Sequence, residues 1–139
     1  MHHRQQEDAY VIRFERGEDI IAALARFLDA QGVANCAFSA IGAVNELELA
    51  MFMPQDKQYH TRTFREDLEI ASLSGNAFPF EGKAFVHAHG VFGRKDFSAI
   101  AGHVNRAVVS VTCEMIMRVL PTTLQKSVDD DTALKFISF

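Results

Sequence analysis

Apolar and polar residues alternate along most of this chain, and one stretch breaks the rhythm. Ala9 to Glu15 (AYVIRFE) alternates and predicts a strand that Gly17 ends. Ile20, Ile21, Leu24, Phe27 and Leu28 then recur at helical spacing, so EDIIAALARFLDAQG predicts an amphipathic helix. Glu18 and Asp19 suit its electropositive start, and Gly32 suits its stop. It is the one convincing long helix.

From Ala34 the chain is mostly β. ANCAFSAIGAV is an apolar run bounded by small residues. LELAMFM alternates, placing Leu47, Leu49, Met51 and Met53 on one face and Glu46, Glu48, Ala50 and Phe52 on the other. PQDKQ is a turn, and YHTRTF returns as the hairpin partner. LEIASLSG, AFVHAHGVFG and VVSVTCEMIMRVL predict further strands. The segments between them (NAFPFEGK, RKDF, GHVNRA) carry Gly, Pro, Asn or charge and predict turns. The tail SVDDDTALKFISF predicts an acidic turn and a short closing strand. The expected fold class is α+β: a mostly antiparallel sheet or split barrel with one main helix packed on it. Residues 1–139 are expected to form a single domain, with 1–8 as a flexible N-terminus where His2 and His3 sit in solvent.

One strand carries candidate chemistry. Residues two apart on a strand share a face, so His87 and His89 project together with Phe85 and Val91. A reverse turn at RKDF can bring His103 beside them. Three neutral imidazoles with a fourth position open are the ligand set of a catalytic-type zinc site. The competing reading is that these histidines are hydrogen-bonded core or interface residues. His-rich sites take zinc or another divalent ion, so the expected cofactor is a divalent metal held by His87, His89 and His103. Metal chemistry also calls for a nearby carboxylate. Glu46, Glu48, Glu69 and Glu114 are the candidates, Glu114 foremost because it interrupts an apolar strand. The alternative for Glu114 is a solvent- or subunit-facing position with Ser110 and Thr112. Arg118, four residues on, can pair with it or meet an anionic substrate.

Charge narrows the partners. With 14 Lys and Arg against 18 Asp and Glu, the net charge is −4, so no overall basic field faces nucleic acid or anionic membrane. No apolar run approaches the ~20 residues of a membrane span. The N-terminus has no apolar segment of the kind a signal peptide needs. Cys36 and Cys113 sit in apolar runs with no CxxC spacing, and reduced buried thiols in the cytoplasm are expected. Twelve Phe and no Trp predict a Phe-rich core. No P-loop, GxGxxG or serine elbow occurs. His60, among charged residues in a hairpin, is expected at the surface.

Taken in order, GEDI, SAIGAV, the hairpin around Asp56 and Tyr59, LEIASLSGN, FVHAHGVFG and AGHV resemble the plants-and-prokaryotes conserved (PPC) domain from Tyr10 to the C-terminus. The resemblance implies an α+β fold, a homotrimer and a DNA-binding role. That role is linked to Arg-Gly-Arg-Pro minor-groove segments, and this chain has none. The fold is also similar to that of acetolactate decarboxylase and a related ester hydrolase, in which an HxH and a later His hold zinc. His87, His89 and His103 match that pattern. The expected function is therefore a homotrimeric PPC-domain protein with a three-histidine metal site for a small-molecule ligand or metal-assisted chemistry. The alternative is a DNA-binding regulatory module.

Overall fold

The computed structural model describes residues Met1–Phe139. Its elements run β1 (His2–Gln6), β2 (Ala9–Phe14), α1 (Ile20–Gln31), β3 (Cys36–Met53), β4 (Gln58–Phe64), β5 (Leu68–Phe80), β6 (Lys83–Gly93), β7 (Ala99–Val119), β8 (Gln125–Val128) and β9 (Lys135–Ser138). Seven strands form one sheet in the order β1-β2-β7-β6-β5-β3-β4, all antiparallel. A further pairing of β7 with β3 closes β7-β6-β5-β3 on itself. Such closure leaves no free edge inside the barrel part. β8 and β9 form a separate two-stranded hairpin. The α+β reading with a split barrel and one helix holds.

The helix forms where its signals lie. Asp19 caps it, its carboxylate accepting the Ile21 amide at 3.2 Å, and Gly32 ends it in the left-handed region. Ile20, Ala23, Leu24, Phe27 and Leu28 are buried where α1 packs across β6 and β7. The core is continuous from there into the barrel and includes Phe14, Phe38 and Phe92.

Long strands replace what the sequence divides into pieces. β3 is 18 residues and β7 is 21, and each runs through segments expected to be turns or breaks. GHVNRA is strand because β3 pairs with it from Glu46↔Val108 to Ala50↔His103. Register shifts in this ladder absorb the irregular residues. One of them, between Glu48 and Leu49, breaks the expected alternation. Leu49 and Ala50 are both buried in succession, and Met51, expected to share a face with Leu47, is 70% exposed. NAFPF likewise continues β5 and pairs with β6.

The N-terminus also departs from expectation. His2–Gln6 forms β1 on the outer edge of β2. The Met1 ammonium sits 3.0 Å from Glu18, His2 Nε2 lies 2.8 Å from Glu15, and the His3 ring contacts Phe27 at 4.8 Å between centroids. Sequence reasoning missed this strand because all five residues are polar and solvent-facing, which leaves no alternation to read.

Candidate metal centre

β6 and β7 pair with His89 directly opposite His103 and Gly90 opposite Gly102. Opposed residues in an antiparallel pair share a face, and the diagonal neighbour two residues on lies within side-chain reach. His87 takes that diagonal position. Ala88, Gly90 and Phe92 point into the core, which fixes the opposite face for the histidines. The backbone beneath is tight. A Cβ on Gly75 would collide with the His87 carbonyl oxygen and the Phe38 ring, so only glycine lets β5 lie this close to β6.

The three rings meet. Their centroids form a nearly equilateral triangle with sides of 5.2, 5.0 and 5.3 Å, and one nitrogen from each lies within 4.8 Å of the others. Zinc bound by imidazole nitrogens at about 2.0–2.1 Å in tetrahedral geometry spaces ring centroids by roughly 5 Å. The observed triangle has that size. His87 and His103 are partly buried and His89 is exposed, which leaves one open side.

The electrostatics favour neutral, ligating imidazole. Burial pushes His87 down to about 4, reinforced by the charge of Lys126 and by His103 and His89. Burial, then His89 and Lys126, also lowers His103. No carboxylate is hydrogen-bonded or ion-paired to any of the three rings. His103 Nδ1 is buried without a hydrogen-bond partner, and so is Oδ1 of Asn76, whose backbone lies opposite His87. Orphaned buried polar atoms are costly, and a cation among the rings would give an imidazole lone pair its partner. The residues present therefore fit a divalent metal.

Against His87 and His103 lies a cavity of about 300 Å³, lined also by Tyr59, Phe85, Asn105 and the β9 end of the C-terminal hairpin. The Tyr59 ring stands 5.3 Å from that of His103. Asn105 Nδ2 donates to Glu48 Oε1 at 2.9 Å, so Glu48 reaches the cavity wall through an amide. A larger cleft of about 730 Å³ lies elsewhere, against Glu69, Arg94 and Phe97, and contains none of the histidines.

The other carboxylates do not converge. Glu46 is held by Arg106 and Arg65. Glu69 is exposed beside the larger cleft. Glu114 takes the alternative position expected for it, facing solvent. It lies on β7 opposite Arg13 and Ile41, eleven residues from His103. At about 3.3 Å per residue that separation is on the order of 30 Å, out of reach of the rings. Arg118 pairs with Asp8 at 3.7 Å instead. His60 is a surface residue, 3.2 Å from Asp56. Cys36 and Cys113 are buried free thiols pushed up by burial to about 11 and about 12, which leaves them inert. Asn105, Lys126 and Lys135 carry no motif, and Tyr59 and Asn76 lie in segments of the family resemblance without being marked as site residues. Only knowledge of strand register and of where the tail folds brings them to the site.

Comparison with known proteins supports the same frame. Among curated proteins none matches the sequence. A candidate DNA-binding protein from Bacteroides thetaiotaomicron superposes with a TM-score of 0.96 at 29% identity, covering 99% of this chain and 96% of that one. A metal-containing protein from Archaeoglobus fulgidus does so with a TM-score of 0.86 at 27% identity, covering 94% and 93%. Acetolactate decarboxylase from Bacillus subtilis shares the fold at 12% identity with a TM-score of 0.58, over 79% of this chain and 51% of that one. Residues 1–121, from β1 through the whole of β7 and thus all three histidines, match one family profile. The chain belongs to the Plants and Prokaryotes Conserved (PCC) domain family.

Proposed function

We propose that this chain is a cytosolic, single-domain homotrimer whose His87, His89 and His103 hold zinc or a similar divalent ion for small-molecule binding or metal-assisted chemistry. One observation carries the metal reading: three rings from two strands, 5.0–5.3 Å apart, with no carboxylate partner. Structural histidines usually hydrogen-bond, whereas three imidazoles aimed at one point repel each other when protonated and need a cation when neutral. The metal content of the Archaeoglobus protein supports the reading. Bound there, the ion would polarise a carbonyl or activate a water. The protein's own groups would orient a ligand: Tyr59 and Asn105 from the cavity wall, with Glu48 fixing the Asn105 amide.

Self-association has a surface to use. Val11, Ile41 and Ile116 are each more than half exposed on β2, β3 and β7, with Val11 directly opposite Ile116 and Ile41 opposite Glu114, two residues from Ile116. Exposed apolar groups gathered on one sheet face are what an oligomer covers. Sedimentation of the purified chain at three times the monomer mass is the expected result.

Elemental analysis tests the metal site. Wild type should retain about one ion per chain after dialysis and His87→Ala essentially none. Equal metal in both would remove the proposal.

DNA association is a second reading, favoured by the likeness to the Bacteroides protein. It predicts retention on mixed DNA with a steep loss as salt rises. No retention at low salt would end it.

A further inference from the structure

The C-terminal hairpin lies outside the residues that match the family profile, and it sets two lysines by the histidine cavity: Lys135 in its wall, and Lys126 bonded to the Lys135 carbonyl. Lys126 on β8 is the one charged side chain among the buried residues, at 6% exposure. Its Nζ donates to the Lys135 carbonyl at 3.3 Å and stands 5.3 Å from the Phe85 ring centroid. Lys135 on β9 holds its Nζ 4.3 Å from the Phe80 centroid and 4.4 Å from that of Phe85. Neither lysine pairs with any carboxylate, although the chain has more acidic than basic residues. A buried ammonium without a counter-charge is costly. A dication on the neighbouring histidines would add positive charge to the same spot. The site lacks a negative charge that the protein itself does not supply.

The cavity says what kind of anion fits. At about 300 Å³ it is small, and Tyr59, Phe85, Leu134 and Phe136 give it apolar walls. We propose that it binds a small organic carboxylate with an apolar body, its charge met by the bound cation and by Lys135 in the wall, with the buried Lys126 adding positive charge from behind Lys135. This inference rests on the three-histidine metal reading. The hairpin then acts as part of the binding site: β9 presents Lys135, β8 holds Lys126 behind it, and Leu134 and Phe136 close over the ligand's apolar part.

Calorimetric titration of zinc-loaded, full-length protein with benzoate tests it, with benzyl alcohol as an uncharged analogue that keeps the ring and inorganic phosphate as the competing anion. Zinc content is measured on every sample. Benzoate should bind wild type at least tenfold more tightly than Lys126→Met or Lys135→Gln, with zinc retained and benzyl alcohol affinity alike in all three. Zinc-loaded variants that bind benzoate within twofold of wild type would overturn the inference and leave the metal site standing. Phosphate binding more tightly than benzoate would overturn the carboxylate assignment. Wild type that holds no zinc would overturn the metal reading and the inference with it. If Lys126→Met fails to fold, Lys135→Gln carries the test, because Lys135 is only partly buried.

Discussion

The two ends of β7 each interrupt an apolar strand with an ionisable residue, His103 near the start and Glu114 eleven residues on. At the His103 end three strands and a hairpin crowd together, the ring is half-buried, and one ring nitrogen has no partner. At the Glu114 end the sheet has one face in the core and one in solvent, with Cys113 and Met115 buried and Glu114 itself exposed opposite Arg13. The same local pattern thus marks a site in one place and a wet surface in the other. What differs is convergence. His103 meets two more imidazoles across the β6 ladder, whereas Glu114 makes no ion pair, the Arg13 guanidinium opposite it turning to Glu15 at 3.4 Å.

The largest expected difference between the ends is in metal affinity. His103→Ala should weaken zinc binding by at least 100-fold, read by competition with a chelating dye, and Glu114→Gln should leave it within twofold. A large loss for Glu114→Gln would erase the distinction between the two ends. Next comes the packing beneath the histidines. Phe92 is fully buried under β6, and Phe92→Ala should cost about 3–5 kcal/mol in denaturant unfolding. A cost below 1 kcal/mol would mean the histidine face is not braced by the core.

Acid should separate the ends further. His87 titrates down to about 4 from the ordinary 6.5. Between those values the unfolded chain takes up a proton that the folded ring refuses. Stability of the metal-free protein is therefore full above the ordinary imidazole range and falls as pH drops from 6.5 toward 4. A shift of this size on a fully buried ring is worth about 3 kcal/mol, and solvent screening of a half-exposed ring reduces the expectation to about 1–2 kcal/mol. His87→Gln should flatten that slope in urea titrations at pH 7 and pH 4.5. An unchanged slope would show that the ring is not held neutral. The smallest effect belongs to the exposed end: Glu114→Ala should move stability by no more than about 0.5 kcal/mol.

How far the sequence speaks follows the same division. The helix, with Asp19 and Gly32 as its limits, and the alternation of β6 were legible because local spacing carries them. His103 was legible as a partner because a short turn between β6 and β7 leaves one simple return path. β1 was not, since a wholly polar edge strand is held by ladder bonds and by the contacts of Met1, His2 and His3. Nor was the unbroken run of β7 through GHVNRA, which depends on register shifts against β3 that no local pattern encodes. Glu114 drew attention for a sound reason, a carboxylate in an apolar run, and the reason failed because only one face of that strand end is buried. Lys126 and Lys135 come from a tail whose packing against Phe85 is tertiary information.

X-ray absorption at the zinc edge of the loaded protein tests the central claim most directly. The account predicts about one zinc per chain, with a first shell of nitrogen and oxygen at about 2.0–2.1 Å and scattering from three imidazole rings that drops to two in His89→Ala. A sulfur shell, or an imidazole count unchanged by that substitution, would contradict it.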